Sequence, residues 1–93
     1  MHAGTIIKED LLDEYNISQN ELARQLHVPA GRINEIIKGK RKITADTDLR
    51  LCKFFGFEDG HFLRLQTAIE LRETRVKLNQ ELSSIKQLAV STI

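Results

Sequence analysis

Between Ser18 and Lys42 the chain reads SQNELARQLHVPAGRINEIIKGKRK: two short helical patterns joined by one tight turn, then a Gly stop and a basic cluster. Few folds accept such a string. Leu22, Leu26, Val28, Ile33 and Ile36 recur at offsets that set one face of the second helix against one face of the first. Ala23 is the small residue at their crossing, where a larger side chain would push the helices apart. The outer face of the second helix is polar.

Small crossing residue, apolar lock and polar outer helix together form the pattern of a helix-turn-helix, and that motif points to DNA. Ser18 predicts an N-cap, and Glu21 three residues later predicts a capping box. The recognition helix is predicted from Pro29 to Lys38, with Pro29 in its first turn and Gly39 as a left-handed stop. His27 falls at the turn position that needs positive φ and where Gly is usual; it costs about 1 kcal/mol of strain against Gly. Its role is structural.

A recognition helix enters the major groove by its N-terminal part, which makes Ala30, Gly31, Arg32, Asn34 and Glu35 the candidate base contacts. Arg takes guanine bidentately, Asn takes adenine, and Ala meets a thymine methyl. Gln19 and Asn20 begin the preceding helix, whose end favours a phosphate. Lys38, Lys40, Arg41 and Lys42 suit the flanking backbone, which positions a protein without reading sequence.

The net charge of +1 hides a separation along the chain. Residues 1–31 carry two cations against five acids, residues 32–53 seven cations against three acids, and the remainder five of each. The positive charge follows the second helix of the motif, where a phosphate backbone would lie.

Outside the motif, the pattern predicts an all-α chain. Thr5 should cap a first helix running to about Tyr15, with Ile6, Leu11, Leu12 and Tyr15 near helical spacing. Thr44 should cap a fourth helix with Asp46 in its first turn, Leu49, Cys52 and Phe55 as its buried stripe and Gly56 as its stop. Asp59 should cap a fifth helix beginning HFLRLQ, which no Pro or Gly interrupts afterwards. Leu71, Leu78 and Ile85 recur at seven-residue steps with Leu82 and Ala89 between them, a short seam broken at Arg75. Leu71, Leu78, Leu82 and Ile85 are the candidate dimer contacts. The architecture expected is a five-helix, phage-repressor-like helix-turn-helix domain over residues 1–70 and an amphipathic helical extension over 71–93.

At 93 residues a second full domain does not fit, and 41% hydrophobic with 29% charged residues is a globular balance. Cys52 is the lone cysteine, so neither an internal disulfide nor a cysteine-based zinc site is expected; on an apolar helix face it reads as a core thiol. No secretory signal or membrane span is recognisable, which suits a cytoplasmic, nucleoid-associated protein with no membrane partner. His2, His27 and His61 are scattered, Asp13 and Glu14 lie on an acidic helical surface, and no catalytic, metal or cofactor motif occurs. An enzyme is not expected, nor a cofactor.

The stretch SQNELARQLHVPAGRINEIIKGKRKITADTDLRLCKFFG resembles the HigA (VapI-like) antitoxins of bacterial type II toxin–antitoxin systems, within the phage-repressor-like (XRE/Cro-type) DNA-binding proteins. His2-Ala3-Gly4 and the run FLRLQ from Phe62 to Gln66 match the same family at the flanks, so the resemblance covers residues 2 to about 70. It implies a cytoplasmic homodimer that binds an inverted-repeat operator in its own promoter. It also implies a cognate HigB-like toxin, similar to RelE-type ribonucleases, which the antitoxin neutralises. Ala3 stands where the family usually has Pro, and His61-Phe62 where Phe-Trp is common. A stand-alone phage-type repressor is the competing reading, and a helix-turn-helix turned to protein contacts fits poorly with so basic a recognition helix. For the tail, three roles stay open: sealing a homodimer, covering a toxin, or packing on the chain's own core.

Overall fold

The computed structural model describes residues 1–89, and these are all helical or irregular: α1 (Ala3–Ile6) continuing into a π-helical segment (Ile7–Leu12), α2 (Gln19–Leu26), α3 (Ala30–Ile37), α4 (Ala45–Phe55), α5 (His61–Lys77) and α6 (Asn79–Ser84). The all-α expectation holds. α2 packs on α3, α1 lies against α3 and α5, and α4 packs between α2 and α5. One core of Ile7, Leu12, Leu22, Leu26, Ile33, Ile36, Leu51 and Phe62, with smaller neighbours, fills the space between them.

The first helix departs from expectation at both ends. It starts after His2, not Thr5, because Ala3 and Gly4 are small enough to seat against the end of α3. A Cβ on Gly4 would stand 1.9 Å from the Ile36 carbonyl oxygen, so only glycine fits there. The helix then widens into its π segment, in which the Asp13 amide donates to the Lys8 carbonyl at 2.9 Å. That register turns Ile7, Leu11 and Leu12 inward, while Ile6 is half-buried and Tyr15 is exposed.

Ser18 caps α2 as expected, its Oγ accepting from the Glu21 amide at 3.0 Å. The reciprocal half of the capping box is not made. The Glu21 carboxylate turns along the helix to pair with Arg24 and accept from Gln25 instead. Ile17, just before the cap, packs on the core and fixes the entry of the chain. His27 ends α2 in the left-handed region at φ 60°, its amide donating to the Arg24 carbonyl and that of Val28 to Ala23.

Thr44 caps α4 through the Thr47 amide, and Gly56 stops it at φ 80°. Its buried face is Thr47, Asp48, Leu51 and Cys52. Cys52 was expected there, but Leu49 faces solvent and Phe55 is only half-buried. The cause is Asp48. Its carboxyl oxygens accept from the amides of Gly60 at 2.6 Å, Phe62 at 2.8 Å and Leu63 at 3.1 Å, which draws this side of α4 onto the start of α5. The cap of α5 therefore comes from another helix, and Asp59 does not supply it; Gly60 is the N-cap residue, at φ 90°.

The uninterrupted run predicted from His61 onward breaks at Leu78, where α5 gives way to the short α6. No Gly or Pro is needed for that break. Past Leu71 every described side chain is exposed, so no packing supports the helix, and Ser83 and Ser84 hydroxyls donate to carbonyls three residues back. The molecule is accordingly long, 54 × 29 × 22 Å, with a radius of gyration of 17.2 Å. A compact chain of this length would have roughly 12 Å. Residues 90–93 of the expected extension lie outside the described residues.

Candidate nucleic-acid interface

α3 begins after Pro29, which stands at the N-cap with extended backbone (ψ 143°), one place earlier than the first-turn position expected. It ends at Lys38, and Gly39 takes the left-handed stop at φ 77°. Ile33 and Ile36 bury the inner face against α2, so the outer face is rigidly presented. Ala30 and Gly31 are exposed at its start, and a Cβ on Gly31 would meet nothing within 4 Å, which leaves this end open to close approach. The His2 ring packs on Gly39 at the other end, closing the seat of α3.

Each polar candidate on α3 is held by a residue from elsewhere. Asn34 Nδ2 donates to Gln19 Oε1 at 3.2 Å, joining the outer face of α3 to the first turn of α2. Asn34 keeps its carbonyl oxygen and one amide hydrogen, the pair that an adenine edge requires. Arg32 Nη1 donates to Asp46 Oδ1 at 3.1 Å, so the guanidinium leans on the start of α4. Glu35 accepts from Arg41 Nε at 3.2 Å and Nη2 at 3.0 Å, and its carbonyl accepts from the Lys40 amide at 2.8 Å, which folds the following loop back on α3.

The predicted basic cluster is divided by these contacts. Arg41 pairs with Glu35, and Lys42 pairs with Glu70 of α5 at 3.2 Å. Lys38 and Lys40 are exposed and have no ion-pair partner among the described residues. Asn20 is exposed beside Gln19 at the start of α2, where backbone N–H groups await an acceptor.

Asp46, Arg50 and Gln66 tie this surface to the core, a role that no sequence pattern assigned to them. Arg50 donates from Nε to Asp46 Oδ1 at 2.8 Å, and from Nη1 to the Leu26 carbonyl at 2.7 Å and that of His27 at 3.4 Å. It thus satisfies the carbonyl end of α2 and steadies Asp46 together. The Asp46–Arg50 spacing of i, i+4 was visible as a helix pair, although its reach to α2 was not. Arg50 donation, followed by the charges of Arg50 and Arg32, outweighs desolvation and holds the Asp46 carboxyl below its usual range. Gln66 bonds both backbone groups of Ile43, at 2.7 and 2.9 Å, and so pins the loop after α3 to α5.

A recognition helix locked at a fixed angle, open at its N-terminal end and flanked by unpaired lysines, defines a helix-turn-helix DNA-binding domain. The helix-turn-helix family model matches residues 7–60, and the chain belongs to that family. Its relatives include HigA and VapI-like proteins. It is 44% identical over 72 residues to virulence-associated protein I of Dichelobacter nodosus, covering 77% of this chain and 67% of that protein. A solved structure of the Pseudomonas aeruginosa antitoxin HigA with the higBA promoter matches with TM-score 0.84 and 30% identity, covering 96% of this chain and 98% of that one. An addiction module antidote protein of the HigA family from Coxiella burnetii matches with TM-score 0.84 and 36% identity over 95% of this chain and 97% of that one. No helix among the described residues is long and apolar enough to cross a membrane.

Proposed function

We propose that this chain is the antitoxin of a type II toxin–antitoxin system, which binds an inverted-repeat operator as a dimer, represses its own promoter and neutralises a RelE-like ribonuclease toxin. The observation that carries this reading is the likeness, over almost the whole chain, to an antitoxin solved with its promoter. The pre-ordered outer face of α3 supports it: Arg32 and Asn34 are the base readers, with Ala30 and Gly31 allowing close approach. Gln19, Asn20, Lys38 and Lys40 are the phosphate contacts. Residues 1–70 form the DNA-binding domain, and the exposed Leu71, Leu78, Leu82 and Ile85 of the extension meet a second copy. Two recognition helices then enter successive major grooves about 34 Å apart.

Footprinting on the region upstream of the gene, paired with co-expression of the adjacent reading frame, tests both halves. Protection of two half-sites about one helical turn apart and relief of a neighbour's toxicity are expected. Absence of protection would sink the operator reading, whereas a protected operator beside a harmless neighbour would leave a stand-alone repressor. Arg32→Ala should cost about 1 to 3 kcal/mol of specific binding and relax preference at one base position. Titration against single-base operator variants measures this, and unchanged discrimination would remove Arg32 from the readers.

A further inference from the structure

Asp46 stands in the first turn of α4, where its carboxylate already has two structural reasons to exist. It faces the positive end of the helix dipole, and it receives Arg50 at 2.8 Å four residues on. Neither requires Arg32. Yet the same Oδ1 atom also accepts from Arg32 Nη1 at 3.1 Å, across fourteen residues and between two helices. The Asp46 side chain is 57% exposed and that of Arg32 is 29% exposed, so the pair sits at the surface beside the open end of α3. Arg50, anchored on the carbonyls of Leu26 and His27, fixes the position of the carboxylate relative to α2 as well.

We infer that Asp46 is a specificity-determining residue, whose carboxylate holds the Arg32 guanidinium in the orientation that reads a guanine and opposes its use as a general phosphate contact. The inference rests on the reading of Arg32 as a base contact proposed above. Donor capacity allows it: a guanidinium has five N–H groups, Asp46 engages one, and guanine O6 and N7 need two. Two effects act together. A long side chain held in the free protein loses less freedom on binding than one that must be ordered by the DNA. A carboxylate beside the phosphate-facing surface also repels any duplex, and only a correctly placed guanine offsets that repulsion. Asp46 therefore lowers affinity for arbitrary DNA while improving affinity for the operator.

The test compares the full chain with D46N, R32A, the double variant and R50Q, each titrated by fluorescence anisotropy against the footprinted operator, its single-base variants and an unrelated duplex. D46N should lower the ratio of operator to unrelated affinity about tenfold. It should strengthen binding to the unrelated duplex and lose discrimination at the base position that R32A affects. In the R32A background the same change should leave the ratio where R32A puts it. R50Q frees the carboxylate from α2 but leaves its charge beside Arg32, so its melting temperature should fall while the ratio falls less than in D46N. A ratio unchanged in D46N, affinities for both duplexes falling alike, or an equal loss with or without Arg32 would each overturn the inference. So would a ratio that falls in R50Q as far as in D46N. If R32A itself discriminates normally, the base-reading role fails first, and that outcome is distinct from a silent D46N.

Discussion

The chain up to Leu63 buries most of its leucines and isoleucines, whereas every described leucine and isoleucine from Leu71 onward is exposed. Leu12, Leu22 and Leu51 are at most 2% exposed, whereas Leu71 is 61%, Ile85 68% and Leu88 76% exposed. In the first region short helices with weak individual propensity are held by caps, stops and mutual packing. In the second, a helix with heptad spacing has nothing to pack on and breaks at Leu78. Heptad spacing is a specification for contact with another helix, and a single copy of this chain does not meet it. The first region is a packed fold, while the second carries an apolar seam that no described residue covers.

The largest effect should therefore separate the two regions by one kind of change. Leu22→Ala, at a fully buried position, should cost about 3 kcal/mol in urea denaturation. Leu82→Ala, measured at a concentration where the chain is monomeric, should fall within about 0.5 kcal/mol of the parent. Comparable costs would break the comparison, since they would mean the tail packs in the monomer.

Next in size is Asp48→Ala, which strips the amides of Gly60, Phe62 and Leu63 of their acceptor at the start of α5. A loss of about 2 kcal/mol is expected. Hydrogen exchange at Gly60, Phe62 and Leu63 should quicken selectively, and unaltered exchange there would remove Asp48 from its place as the cap of α5. Deleting the chain after Leu71 should be milder still for the monomer, at about 1 kcal/mol or less, because no described residue beyond it is buried. Its consequence should appear in sedimentation, as loss of the dimer at micromolar concentration; a persistent dimer would assign the tail another task.

The sequence was legible wherever structure depends on near neighbours. Ser18, His27, Gly39, Thr44 and Gly56 all stand at the caps and stops where local rules put them. Leu22, Ala23, Leu26, Ile33 and Ile36 lie buried as their spacing requires. It was illegible where a residue acts across the fold. Asp59 was the sensible local cap for α5, but Asp48 lies on a packed helix face and reaches three amides, so tertiary packing prevailed. The start of α1 depends on how closely Gly4 can approach Ile36, a distance that no pattern within residues 1–15 encodes. The interface divided in the same way: α3 supplied its candidates by position, while Asp46 and Arg50 became visible only when α2, α3 and α4 were brought together.

The smallest expected effect is on pH dependence, and it belongs to the first region alone. The Asp46 carboxyl is held below its ordinary value of 3.8, first by donation from Arg50 and then by the charges of Arg50 and Arg32. A depressed folded value means that the unfolded chain takes up the proton more readily. The stabilisation is therefore complete above the unfolded value and is lost as pH falls through the folded one. Because the side chain is more than half exposed, solvent screens the pair and the contribution is slight. Urea midpoints for the parent and Asp46→Asn should consequently differ at neutral pH and converge in acid, as pH falls through the lowered Asp46 value. The chain ending at Leu71 should show the same convergence, since Asp46, Arg32 and Arg50 all lie before the cut. A difference that persists undiminished into acid would mean that the side chain stabilises by packing rather than by charge. A convergence that disappears with the tail would show that the extension touches the start of α4, and the two regions would no longer be independent.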